Sequence, residues 1–188
     1  MVDKTSPGWL THSIEIVYEN AWIAVSHREV TAPTGQPGIY GLVHFKQRAI
    51  GIVPLDACGY TWLVGQERYT LGQYSWEIPE GGATIDEEAL HAAKRELREE
   101  TGITAKRWTP LLELHTSNSV TDEHAKAWVA QELEFGAISP DETEVLRVKR
   151  VSLDDAVQMV LDGEITDSFA MASLMKVKLM LDRGLLAF

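Results

Sequence analysis

Between Gly81 and Ile103 the chain sets three glutamates, Glu96, Glu99 and Glu100, within about one helical turn and brackets them with Gly81 and Gly102. Side chains three and four apart share a helix face, so these carboxylates occupy one small patch and repel one another. A fold that keeps them there needs something to offset the repulsion. Either basic neighbours such as Lys94, Arg95 and Arg98 pair with a solvated acidic face, or a hard cation binds, since carboxylate oxygens suit such ions. Glu87 lies on the same side as Arg95, about two turns earlier, and an ion pair there is expected to brace the preceding loop. The helix is also punctuated. Thr84 and Glu87 read as a capping box, with Asp86, Glu87 and Glu88 as an acidic first turn. Good helix formers run from Glu88 to Glu100, Gly102 supplies a left-handed stop, and Leu90, Ala93 and Leu97 form the buried stripe.

Around this helix the pattern is largely β. Ile14 to Tyr18 and Ala21 to His27 are apolar, β-branched runs joined by Glu19 and Asn20. Thr31 to Gly38 is a loop, because Pro33 and Pro37 cannot donate to a ladder. Gly38 to Lys46, Arg48 to Pro54 and Tyr60 to Gly65 are strand candidates, and Gly72 to Gly82 reads as a loop. Downstream, Leu111 to His115 and Ala125 to Glu134 are expected strands flanking the polar loop Thr116 to His124, and Glu144 to Val151 is another. Ser152 caps a helix to Leu161, and a second helix runs from Asp167 to Arg183 and stops at Gly184. This order predicts an α/β fold, a mixed sheet between helices in an α/β/α sandwich.

Composition narrows the partners. Acids outnumber bases 28 to 17, a net charge of −11, which argues against a nucleic-acid backbone as partner. A bound divalent cation can still invert the local field for a small phosphorylated substrate. The single cysteine, Cys58, rules out an intrachain disulfide and a C-x-x-C site. The first residues have no apolar signal core and no apolar run is long enough to span a bilayer, so the expectation is a cytoplasmic protein without membrane association. None of the six histidines has metal-ligand spacing of the H-E-x-x-H kind.

Gly81, Glu87, Arg95, Glu96, Leu97, Glu99, Glu100, Gly102 and Ile103 match every fixed position of G-x5-E-x7-R-E-U-x-E-E-x-G-U, where U is apolar. The chain therefore resembles the Nudix hydrolases, over roughly Arg48 to Glu164. The resemblance implies a Nudix-type α/β/α sandwich over residues 46–188, with residues 1–45 as an N-terminal β extension. It implies Mg²⁺, with Mn²⁺ as a possible substitute, held by Glu96 and Glu100 with Glu99 assisting catalysis and the backbone carbonyl of Glu80 completing the site. Gly81, Glu87, Arg95 and Gly102 are then structural parts of the box.

Gln66-Glu67-Arg68 followed by Trp76-Glu77-Ile78-Pro79-Glu80-Gly81 is similar to the lead-in of ADP-ribose pyrophosphatases and related nucleoside diphosphate-sugar hydrolases. That likeness implies that Arg68 donates to a pyrophosphate and that Glu77 helps fix the substrate. Trp76 stays open between a core residue and a stacking wall. Asp141-Glu142-Thr143-Glu144 resembles the acidic loop of the same group, implying Glu142 as general base and Glu144 as a further metal ligand. By composition alone it is equally a polar hairpin loop. An N-terminal extension in that group implies a homodimer that shares its substrate site.

The expected activity is hydrolysis of a nucleotide-sugar diphosphate, ADP-ribose giving AMP and ribose 5-phosphate. Asn118 stands where that group has a proline, within Ser117-Asn118-Ser119, and keeps GDP-mannose or another nucleoside diphosphate sugar as the alternative. A non-catalytic nucleotide-sugar sensor would have no need of Glu96, Glu99 and Glu100 together.

Overall fold

A computed structural model describes residues 8–137 and 145–188. The described chain divides into two units, Met1–Arg48 with His115–His124, and Ala49–Leu114 with Ala125–Phe188.

The first unit is built on three antiparallel strands in the order β1 (Leu10–Glu19), β2 (Ile23–Thr31), β3 (Pro37–Phe45). The Asn20 side chain closes the first hairpin by accepting from the backbone N–H of Trp22 and Ile23, each at 2.8 Å. Gly35, at φ 83°, supplies the left-handed residue of the second turn. The segment His115–His124 attaches to β3. Val43 N donates to the Val120 carbonyl at 2.8 Å, and the His44 ring lies 2.6 Å from the Asp122 carboxylate.

The second unit carries the mixed sheet. Its strands are β4 (Gln47–Pro54), β5 (Tyr60–Arg68), β6 (Gln73–Glu77), β7 (Glu80–Thr84), β8 (Ile103–His115), β9 (His124–Phe135) and β10 (Arg147–Ser152). One ladder runs β7-β4-β9-β8 with β4 and β9 parallel, and another runs β10-β5-β6, antiparallel. Strand alternation decides what each face buries. Ile50, Ile52, Trp62, Trp128 and Ala130 face α1 (Ala89–Thr101) through Ala92, Ala93 and Leu97. Val53, Leu63, Ala127 and Val129 face α2 (Leu153–Leu161) and α3 (Ser168–Asp182) through Ala156, Val160, Phe169, Leu174 and Val177. Gly51 is the residue that lets α3 approach, since a Cβ there would lie 2.6 Å from the Phe169 ring. The layered α/β fold read from the sequence is present. Among the described residues no helix is long and apolar enough to cross a membrane.

Three local expectations are corrected. The Gly72 to Gly82 stretch is not simply a loop but contains β6 and most of β7. Strand β8 starts at Ile103 rather than Leu111, because Lys106 and Arg107 are solvent-facing residues of a sheet edge and not loop residues. The cap of α1 is Glu88 rather than Thr84. Its carboxylate accepts from Leu90 N and His91 N at 3.0 and 2.8 Å, whereas Thr84 ends β7 and its carbonyl accepts from Glu87 N at 3.1 Å. No acid therefore lies inside the first turn of α1.

Candidate active site

The site is assembled where the β6–β7 turn meets the last two turns of α1. Ile52 N donates to the Pro79 carbonyl at 2.9 Å, tying this turn to the buried strand β4. Glu80 opens β7, and its backbone N–H donates to the Glu100 carboxylate at 3.0 Å. Gly81 follows. A Cβ there would lie 2.2 Å from the Glu96 Cδ, so only glycine lets that carboxylate seat against the strand. At the far end Gly102, at φ 70°, closes α1 by donating to the Arg98 carbonyl, and a side chain there would collide with the Gly136 carbonyl at 2.5 Å.

Arg95 gathers the acids of the helix. Its Nε donates to Glu87 at 3.3 Å, its Nη1 to Glu96 at 2.8 Å and Glu99 at 3.0 Å, and its Nη2 to the Gly82 carbonyl at 2.9 Å and Glu87 at 3.3 Å. One guanidinium thus ties three carboxylates and the strand leading into the helix. Burial opposes its charge, but the hydrogen bonds it donates to Glu87, the field of Glu96 and its hydrogen bonds to Glu99 and Glu96 hold the guanidinium well above its ordinary pKa. Lys94 and Arg98 do not join in; neither has an ion pair among the described residues.

A second cluster stands on the β5 and β6 ends. Arg68 Nε donates to both oxygens of Glu77 at 2.9 and 3.1 Å, and its Nη2 to Glu77 at 2.5 Å and Glu80 at 2.8 Å. These bonds, Glu77 foremost, keep Arg68 firmly charged. Its Nη1 has no hydrogen bond among the described residues. Glu80 is in the opposite condition: burial, then the charges of Asp167 and Glu77, push its carboxyl well above the usual range, with Arg68 opposing. Asp167, the N-cap of α3, accepts from Ala170 N at 2.6 Å and is likewise raised, first by burial and then by Glu77. Trp76 packs against the core under α2 and α3, with Tyr74 edge-on at 5.5 Å and the Lys149 ammonium 5.4 Å from its ring.

Of the residues singled out from the sequence, the structure brings Glu80, Gly81, Glu87, Arg95, Glu96, Glu99 and Glu100 together, and links Arg68 and Glu77 to them through Glu80. Glu142 and Glu144 lie outside the described residues. Two features were not read from the sequence: the Glu80 side chain as a participant beside its backbone, and Asp167. Glu80 sits next to the box and its charge was a local signal. Asp167 lies 99 positions beyond Arg68, and no spacing rule connects the two.

Among the described residues no three His, Cys, Asp or Glu side chains already form a cage for a metal ion. Glu96 and Glu99 are held by Arg95 and Glu100 by the Glu80 N–H. The donor chemistry nevertheless fits a hard divalent cation. The facing groups are carboxylates, with no thiolate among them, and Glu80 Oε2 is buried without a hydrogen bond among the described residues.

Comparison with known proteins agrees with this geometry. The NUDIX domain model matches residues 45–171. An ADP-ribose pyrophosphatase of Mycobacterium tuberculosis (strain ATCC 25618 / H37Rv) is 33% identical over 171 residues, 89% of this chain and 82% of that protein. An ADP-ribose pyrophosphatase of Bacillus subtilis (strain 168) is 31% identical, covering 82% of this chain and 84% of its own. A crystal structure of an ADP compounds hydrolase shares the fold, with a TM-score of 0.85 over 96% of this chain and 98% of that one at 22% identity. With the acidic helix, its glycine brackets and its arginine clamp in place, the chain belongs to the Nudix hydrolases, as an ADP-ribose pyrophosphatase-like member.

Proposed function

We propose that this hydrolase splits the diphosphate of ADP-ribose, in the cytoplasm and as a homodimer, giving AMP and ribose 5-phosphate. The observation that carries the reading is one juxtaposition. Glu96 and Glu100 pack on the Glu80–Gly81 backbone, and through Glu80 they adjoin an arginine with donors to spare. The two ADP-ribose pyrophosphatases at 33% and 31% identity support the substrate.

Nudix hydrolases generally use divalent metals. Mg²⁺ is the ion expected here, with Mn²⁺ as a substitute. Glu96 and Glu100, Glu144 and the Glu80 carbonyl would hold it, with Glu99 assisting. Such an ion supplies neutralisation of phosphate charge and a more acidic water. The chain's own residues do the rest. Glu142 would accept the proton of the attacking water. Arg68 Nη1 would donate to the diphosphate while Glu77 holds the guanidinium plane in place. Arg95 holds the helix acids in register through its bonds to Glu87, Glu96 and Glu99.

Asn118, in place of proline, favours a second reading in which the sugar nucleotide is GDP-mannose or another relative. A panel of ADP-ribose, GDP-mannose and deoxynucleoside triphosphates, with Mg²⁺ or Mn²⁺, separates the two. Phosphatase-coupled phosphate release reads the monoester products. The highest kcat/KM should fall on ADP-ribose. A preference for GDP-mannose selects the second reading, and a preference for triphosphates removes both.

A further inference from the structure

The outer face of α1 carries two basic side chains that the proposed hydrolysis does not use, Lys94 and Arg98. His91, Lys94, Arg95 and Arg98, with Thr104 and Trp108 from the start of β8, line a half-open cavity of about 330 Å³. Arg95 spends its guanidinium on Glu87, Glu96, Glu99 and Gly82, and His91 lies 3.5 Å from Glu87. Lys94 and Arg98 are different. They are like charges four apart on one helix, a mildly destabilising arrangement. No acid answers either of them among the described residues, in a chain whose acids outnumber its bases 28 to 17. Three lysines of this unit do find acids: Lys106 lies 2.6 Å from Glu134, Lys126 2.8 Å from Glu113 and Lys178 2.7 Å from Asp182. The wall opposite is the Trp108 side chain. The Trp108 indole N–H donates to the Ala105 carbonyl at 3.1 Å, and its ring packs on the apolar cluster beneath α1.

We propose that this cavity binds a small phosphorylated anion, at a site separate from the catalytic carboxylates. A guanidinium fork and an ammonium suit a phosphate's oxygens, and the Thr104 hydroxyl adds a donor. The volume lies at the lower end of the ~300–1,000 Å³ of small-molecule sites, and a concave pocket with one aromatic wall suits a small ligand better than a protein surface. The anion removes the repulsion between Lys94 and Arg98. The proposal does not depend on which diphosphate sugar is hydrolysed.

The test uses the full chain, freed of metal by a chelator, and follows the Trp108 indole N–H resonance, assigned with Trp108→Phe. Inorganic phosphate and AMP are titrated separately. The expected result is a saturable shift with phosphate, weakened about tenfold or more in Lys94→Ala/Arg98→Ala. Both residues face solvent, so the variant should keep its fold and its basal hydrolysis. Glu96→Gln/Glu100→Gln should leave the shift unchanged, which separates this site from the catalytic one. Tighter binding of AMP than of phosphate assigns a nucleotide ligand, and equal binding assigns the phosphate group alone; both sustain the proposal. An absent or non-saturable shift, or one that Lys94→Ala/Arg98→Ala leaves intact, overturns it. So does a shift seen with an acidic peptide and not with phosphate, which would make the face a protein contact.

Discussion

At the scale of single residues, Gly81 and Glu96 define each other. The predicted clash of a Cβ at Gly81 is with the far end of the Glu96 side chain, which can swing away without moving backbone. Gly81→Ala should therefore displace Glu96, lower turnover at least tenfold at saturating Mg²⁺ and leave the melting temperature almost unchanged. That asymmetry distinguishes an active-site glycine from a folding one, and equal losses in both measurements would refute it. Glu96→Gln and Glu100→Gln should abolish most activity with the fold intact, since each removes an anionic oxygen while keeping size. Near-normal turnover in both would end the metal reading. Glu142→Gln should lower kcat by on the order of 10²–10⁴ with little change in KM, as loss of a general base does. A larger kcat loss in Glu144→Gln, with Mg²⁺ affinity unchanged, would exchange the two roles.

At the scale of elements, the sequence was informative wherever spacing is local. The Gly102 stop, the Ser152 cap and the alternation of β4 and β9 are all carried by neighbouring residues. It was least informative where a tertiary demand overrides local preference. Strand β7, Glu-Gly-Gly-Ala-Thr, looks like a loop because Gly81 answers to the Glu96 side chain of α1 and not to the ladder. Thr84 has a capping residue's chemistry but is claimed by that strand, so the cap passes to Glu88. Asp167 shows the same limit across the chain: its cap position is legible, its place near Glu77 and Glu80 is not. That place makes a prediction. The Asp167 carboxyl is raised by burial and by Glu77, so its charge opposes folding at pH values above its folded pKa. The penalty fades as pH falls through that value toward the ordinary carboxylate range. Asn caps a helix about as well as Asp. Asp167→Asn in chelator should therefore melt higher than the parent at pH 7, and the gap should close on acidification. Asp167→Ala also forfeits the cap, about 1 kcal/mol, and should melt lower than Asp167→Asn at every pH. A gap that widens in acid would show that the charge is stabilising where it stands.

At the scale of the whole molecule, β1 is the outlying feature. All ten of its residues are exposed, among them Leu10, Ile14, Ile16, Val17 and Tyr18, although the strand is paired along one edge to β2. A long edge strand with apolar side chains on both faces is normally blunted by charge or covered by another chain. The charge here is sparse, with Glu15 and Glu19 the acids and no lysine or arginine in the strand. Covering by a second copy is thus the economical resolution, and it matches the homodimer proposed above. Lysine is an effective block on such an edge. In Ile14→Lys/Ile16→Lys the β2 pairing survives, because both side chains point away from the ladder. Light scattering after size exclusion should find the parent a dimer and this variant a monomer. If the partner's strands help shape the substrate site, ADP-ribose turnover should fall in the monomer while the affinity for the divalent cation that Glu96 and Glu100 are proposed to hold stays the same. A monomer that keeps full turnover would mean that each chain holds a complete site and that β1 serves assembly alone. A parent that is itself monomeric would remove the dimer from the reading and leave the hydrolase standing.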